Sequence, residues 1–258
     1  MEILKKVIRF LTKIFFYVLI KNIFIYEFNM NKELSKDGSK YITDEVFNSA
    51  SHMVGAIFSL VGIVILIVKS SVPPRPWHII SFSVYGLSFF MVFLSSSLHH
   101  GINASSKLEN FLRQLDYLAI FPLIAGTFTP VCLVLLRNIP LGWGFFGIIW
   151  GLCIIGIIIK SIFPNIPKWV TSTIYISMGW IGGILVISLP FIKVAGMLGL
   201  GLLFIGAVFY SVGFIIFNIE KPNPIPGKFG FHEIWHIFVL LGGFSHYFLM
   251  YFVILPHN

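Results

Sequence analysis

Charge is scarce in this chain. Asp, Glu, Lys and Arg make up only 11% of its 258 residues, against about a quarter in a soluble domain. With 57% hydrophobic residues and a mean hydropathy of +0.91, too little polar surface remains to coat a water-soluble globule. The bilayer must be the solvent, and the chain reads as an integral, multi-pass membrane protein. Cysteine is scarcer still. Cys132 and Cys153 lie inside apolar segments with no CxxC spacing, which argues against a thiolate metal site or a redox pair. Acidic residues are also few, leaving a formal net charge of +8. No nucleic-acid partner follows from that charge. The cations cluster in residues 1–40 or punctuate loops between apolar runs, a pattern that sets orientation and attracts anionic lipid. Internal repeats and low-complexity tracts are absent.

Apolar sequence is what the chain has in abundance. Crossing the hydrocarbon core takes about 20 such residues. Seven runs qualify: about 48–68, 77–98, 115–136, 141–159, 169–190, 192–217 and 232–255. Breaks containing Pro or Gly separate most of them, among them Pro73, Pro140, Pro164, Pro190 and Pro222. Loops this short leave no room for a soluble domain. The predicted fold class is therefore an all-α membrane protein, a seven-transmembrane helix bundle over residues 41–258, preceded by a basic amphipathic segment over residues 1–40. In that segment Lys5, Lys6, Arg9 and Lys13 share one helical face, and seven uncharged residues separate Lys13 from Lys21. An interfacial helix is expected there rather than a span, and no small-residue cleavage site marks a removed signal peptide. Taking loops alternately, fourteen Lys/Arg fall on the N-terminal side and four (Lys69, Arg75, Arg137, Lys193) on the other. The positive-inside rule then predicts the N-terminus in the cytoplasm and the C-terminus outside, in the inner (plasma) membrane. Gly147 with Gly151, and Gly196 with Gly199, read as small residues that let helix backbones approach closely.

On this topology the second run ends inside at His99-His100, the third starts inside at Leu115-Asp116, and the seventh at His232-Glu233-Ile234-Trp235-His236. Such side chains are costly near lipid and are seldom kept there without a partner or a task. His232 and His236 are four apart, so one helical face carries both. With His100 they offer three nitrogens, the pattern of a catalytic zinc with an open fourth position. Asp116 could orient or deprotonate a water in that position, and Ser96 shares a face with His100. A hydrogen-bonded histidine cluster closing a polar bundle end is the plainer alternative. Glu45, Asn48 and His52 form a second stripe at i, i+3, i+7. A helix cap at Thr43 or Asp44, with Glu45 favoured by the helix dipole, accounts for the start of this stripe. It does not account for His52, two turns into the membrane. Hydrogen bonds behind a metal site would.

Taken together, Glu45-x-x-Asn48-x-x-x-His52, Ser96-x-x-x-His100, Leu115-Asp116, the run from Ile124 to Pro130, and His232-x-x-x-His236 followed by Val239-Leu-Leu-Gly242 resemble the hemolysin III family. That family is the bacterial branch of the progestin and adiponectin receptor superfamily, and the match spans about residues 44–255. The resemblance implies a seven-helix bundle with zinc near its cytoplasmic face. Its ligands would be His100, His232 and His236, with Asp116 and Ser96 beside the bound water. One position departs from the pattern: the residue before the ligand histidine is commonly tyrosine, and here it is His99. Neighbouring helical residues point about 100° apart, so either ring could face the site, and the Ser-x-x-x-His spacing favours His100.

The leading functional expectation is a zinc-dependent hydrolase of a lipid amide or ester, since the superfamily also includes alkaline ceramidases. The alternative is a non-catalytic membrane regulator or receptor-like protein with structural zinc. A pore-forming cytolysin, the activity in the family name, fits less well. Spans four to six offer little polar lining beyond Thr171, Thr173, Ser177 and Ser211. Membrane lipids are the expected partners, and the sequence sets no oligomeric state.

Overall fold

The proline-bounded apolar runs become seven helices in the computed structural model, which describes residues 34–186 and 188–257. They are α1 (Val46–Ser71), α2 (Pro76–Gly101), α3 (Ser106–Pro130), α4 (Pro140–Ile162), α5 (Lys168–Val186), α6 (Leu189–Ile219) and α7 (Phe231–Leu249). Proline stands in the first turn of α2, α4 and α6, where its missing N–H costs nothing. Single π-helical turns continue α3 (Val131–Leu135) and α7 (Met250–Ile254). The first follows Pro130, which cannot donate to the α-helical ladder. Six of the helices are long and apolar enough to cross a membrane, and the remaining one, α5, has 19 residues. No strand occurs among the described residues. The amphipathic helix expected near the N-terminus lies outside them.

Sequential helices pack side by side, and α1 against α7 closes the circuit. The most enclosed span is α3 with its π-turn. Its most apolar stretch is 78% buried, against 22% for α6. It therefore forms the axis on which α2, α4 and α5 pack. Phe82, Phe93, Phe121 and Leu249 fill the interior, while Phe58, Val68, Ile155 and Met197 point outward. An apolar exterior is unfavourable in water and suits lipid. Because the helices alternate in direction, the starts of α1, α3, α5 and α7 share one end with the ends of α2, α4 and α6. A strap of residues 34–45 crosses that same end.

Two expectations need correction. The third helix starts at Ser106, not near Leu115, so Asp116 lies about three turns into it. Its first nine residues are amphipathic and helical without being apolar, with Glu109 in the first turn where the dipole favours an acid. A search for apolar runs finds only the part that follows. Gly147 and Gly151 face open space, and the close approaches on α4 are instead at Gly142, against the backbone of the α3 π-turn, and Gly156, against the Phe121 ring. Gly199 does pack tightly, against Ala195 and Val253, and Gly196 breaks α6 with a φ of 63°, a conformation that favours glycine.

Candidate metal centre

Three imidazoles from two helices meet at the strap end of the bundle. The i, i+4 spacing on the first turns of α7 aims His232 and His236 the same way, and the last turn of α2 brings His100 against them. Each of the three ring centroids is 4.9 Å from the other two. One nitrogen from each ring lies within 4.8 Å of the others, and all three side chains are buried.

The surroundings fix the tautomers of two rings. His100 Nδ1 is 2.8 Å from Glu45 Oε2, and His236 Nδ1 is 3.2 Å from the carbonyl oxygen of Asn48. A carboxylate and a carbonyl can only accept, so each Nδ1 carries a proton, and in the neutral ring Nε2 keeps its lone pair. His100 Nε2 is buried with no hydrogen-bond partner in the protein, a costly arrangement unless something accepts its lone pair. Metal-ligating histidines show this pattern, donating one N–H to an oxygen while the other nitrogen faces the ion. Three neutral imidazoles are a donor set that zinc and other borderline divalent metals favour. The cluster could therefore hold a metal ion.

The Glu45, Asn48 and His52 stripe supports this cluster. Glu45 Oε2 also accepts from Asn48 Nδ2 at 2.8 Å, and Asn48 Nδ2 reaches Glu233 Oε1 at 2.9 Å. Burial disfavours the ionised Glu45 carboxyl, but the adjacent His100 ring, which donates Nδ1–H to it, holds it below the usual carboxylate range. Glu45 adopts φ 61°, an uncommon conformation for a residue with a side chain. His52 stacks on His236 with centroids 3.7 Å apart and planes at 14°. Thr43, expected as a possible helix cap, instead donates to Glu233 Oε1 at 2.6 Å. Asp44 Oδ1 accepts from Val46 N at 3.2 Å, but the N-cap position is Glu45, whose side chain makes no cap hydrogen bond.

His99 points elsewhere. Its Nε2 faces Asp37 Oδ1 at 3.4 Å, and Asp37, His99 and His100 form a second group with ligand atoms within 4.8 Å. Glu45 already holds His100 Nδ1, so the one remaining nitrogen of His100 serves one group at a time. Asp116 and Ser96 both line a cavity next to the histidines. That cavity, about 590 Å³, also touches Asp37, His232 and His236. It extends along α7 to His246, about 15 Å further by helix rise. His246 and His78 are engaged apart from the cluster, with ring nitrogens 3.3 Å from the Leu203 carbonyl and 3.1 Å from the Ile254 carbonyl.

Three side chains that pack around the cluster escaped the sequence reading. Glu233 was within reach of it: this acid at the third position of α7 accepts from Gly230 N at 2.7 Å, as a capping box requires. Tyr117 and Asp37 carried no such signal. Tyr117 donates its hydroxyl to Asp37 Oδ1 at 2.9 Å. Burial opposes ionisation of Asp37, yet His232 and His99 beside it hold its carboxyl well below the usual carboxylate range.

Known proteins agree with this architecture. The haemolysin-III-related family matches residues 40–247. Hemolysin-3 of Bacillus cereus is 39% identical over 218 residues, covering 84% of this chain and 95% of its own length. The Hemolysin-3 homolog of Bacillus subtilis (strain 168) is 35% identical over 82% of this chain and 94% of its own. Heptahelical transmembrane protein 1 of Arabidopsis thaliana is 30% identical over 79% of this chain and 68% of its own. On the family match and these identities, the chain belongs to the haemolysin-III-related family.

Proposed function

We propose that this protein is a zinc-dependent hydrolase of a lipid amide or ester, with seven spans, its N-terminus in the cytoplasm and its site at the cytoplasmic face of the plasma membrane. One observation carries the reading. Three buried histidines, two with Nδ1 already engaged by oxygen acceptors, converge beside a cavity that reaches deep along α7. His100, His232 and His236 would hold the ion. Zinc there would act as a Lewis acid, polarising the carbonyl under attack and making water a competent nucleophile near neutral pH.

The chain's own residues supply the rest. Asp116, which shares the cavity wall with Ser96, would accept a proton there. Apolar side chains such as Ile124, Phe128 and Phe204 line the interior and suit an acyl chain. Arg113 and Lys160 line the same cavity and suit a headgroup bearing a phosphate or carboxylate. Glu45, Asn48 and His52 keep the histidine rings in register.

Metal analysis of the purified protein, run beside hydrolysis of a membrane lipid extract, tests the proposal. About one zinc per chain is expected, lost in His232→Ala and His236→Ala and retained in His78→Ala and His246→Ala. Zinc without lipid turnover would replace the hydrolase with a regulator built on structural zinc. Equal zinc loss in all four variants would overturn the site.

A further inference from the structure

Each histidine of the cluster has an oxygen near its Nδ1, and the third comes from a point in the strap well before Glu45. Glu45 faces His100 and the Asn48 carbonyl faces His236. For His232 the oxygen is Asp37 Oδ2, 3.3 Å from Nδ1. That oxygen is buried and has no hydrogen-bond partner in the protein, while Oδ1 is occupied by the Tyr117 hydroxyl. The Asp37 side chain is 3% exposed, so this is not a solvated surface pair of little consequence.

The strap holds Asp37 in place from both sides. Lys36 Nζ donates to the carbonyls of His99, His100 and Ile102 at 2.9, 3.2 and 2.8 Å, capping the end of α2 where a cation is favoured. Ser39 Oγ donates to Glu220 Oε2 at 2.8 Å, and Glu220 pairs with Lys168, so the strap is also tied to the end of α6 and the start of α5. Asp37 is thus pinned between helix ends.

We infer that Asp37 is a positioning residue for His232: its buried carboxylate, 3.3 Å from Nδ1, holds the ring by charge so that Nε2 turns toward the centre. The inference rests on the metal-centre reading above. Direct ligation by Asp37 fits the geometry less well, because its oxygens group with His99 and His100 and not with the His232 and His236 nitrogens together. Asp37 also precedes the matched residues 40–247. A strap residue ahead of the match therefore supplies the third oxygen.

The test is chelator competition for Zn(II) and visible absorption of the Co(II)-loaded full-length protein, in detergent, for wild type, Asp37→Ala, Asp37→Asn, Tyr117→Phe and His236→Ala. Loss of an orienting partner weakens metal binding about 10- to 100-fold, and that drop is expected for Asp37→Ala. Asp37→Asn, which keeps the shape without the charge, should lose about as much, with the wild-type Co(II) band intact in both. Tyr117→Phe leaves the strap's backbone ties in place and should show a smaller loss, which keeps the idea testable should Asp37→Ala fold poorly. Wild-type affinity in Asp37→Ala, with His236→Ala empty, would overturn the role of Asp37 alone. An altered Co(II) band in Asp37→Asn would make Asp37 a ligand and overturn the positioning role. Wild-type protein that takes no metal would overturn the centre itself and this inference with it.

Discussion

Glu45 Oε2 lies 2.8 Å from His100 Nδ1, joining the turn before α1 to the last turn of α2. The same oxygen accepts from Asn48, which reaches across to Glu233 on α7 and whose carbonyl faces His236. Two side chains one turn apart thus tie the start of α1 to α2 and α7, the two helices that carry the three histidines. Such outer partners set ring orientation and donor strength as much as the ligands themselves do.

Glu45→Gln preserves size and an accepting oxygen but removes the charge. Zinc affinity measured by chelator competition should fall about 10- to 100-fold while the protein stays folded. Affinity equal to wild type would reduce Glu45 to a residue that merely opens α1.

The two adjacent histidines of α2 should behave oppositely. His100→Ala removes a proposed ligand and takes one of two hydrogen-bond donors from the buried Glu45 carboxylate, a loss of about 1–3 kcal/mol. Zinc should disappear, and the melting temperature should drop. His99→Tyr should keep full zinc occupancy, because His99 faces Asp37 rather than the three-nitrogen group. The reverse result would rotate the α2 register by one residue.

Much of this was legible in the sequence, for identifiable reasons. Apolar run length and proline placement located the helices because the bilayer demands both. The His232–His236 spacing found one face of α7 because helical period is local. What failed was not local. Asp37 sits in a polar stretch with no periodicity, and only tertiary packing puts it beside residues 62 and 195 positions away. The spacing of Gly147 and Gly151 marks a smooth helix face but not whether a neighbour covers it, and here none does. The α3 start was hidden because its first turns are amphipathic, so hydropathy reads them as a loop.

Orientation is open to a labelling experiment. Cys132 and Cys153 are both buried, so single surface cysteines give a clean signal. Lys107→Cys and Lys221→Cys lie at the strap end and should resist a membrane-impermeant thiol reagent in intact cells. Lys69→Cys and Lys193→Cys, at the other end, should react. Labelling of Lys107→Cys from outside would place the metal centre on the extracellular side.

Asp116 separates an enzyme from a regulator. It lies three turns into α3, next to Ser96 on the cavity wall and apart from the three-nitrogen group. On the proposed reading this carboxylate accepts a proton without ligating the metal, and general bases typically contribute 10²–10⁴-fold. Asp116→Asn keeps the shape and one accepting oxygen while removing the basic group. In a hydrolase this variant should hold zinc at wild-type stoichiometry and melt near the wild-type temperature, yet turn over lipid at least about 10²-fold more slowly. In a regulator with structural zinc the same variant should leave the cellular phenotype unchanged so long as zinc remains. Loss of zinc from Asp116→Asn would show that the carboxylate helps hold the ion, and the proton-accepting role would fall. Because occupancy and turnover are read on the same sample, retained zinc with lost turnover has only one of these explanations.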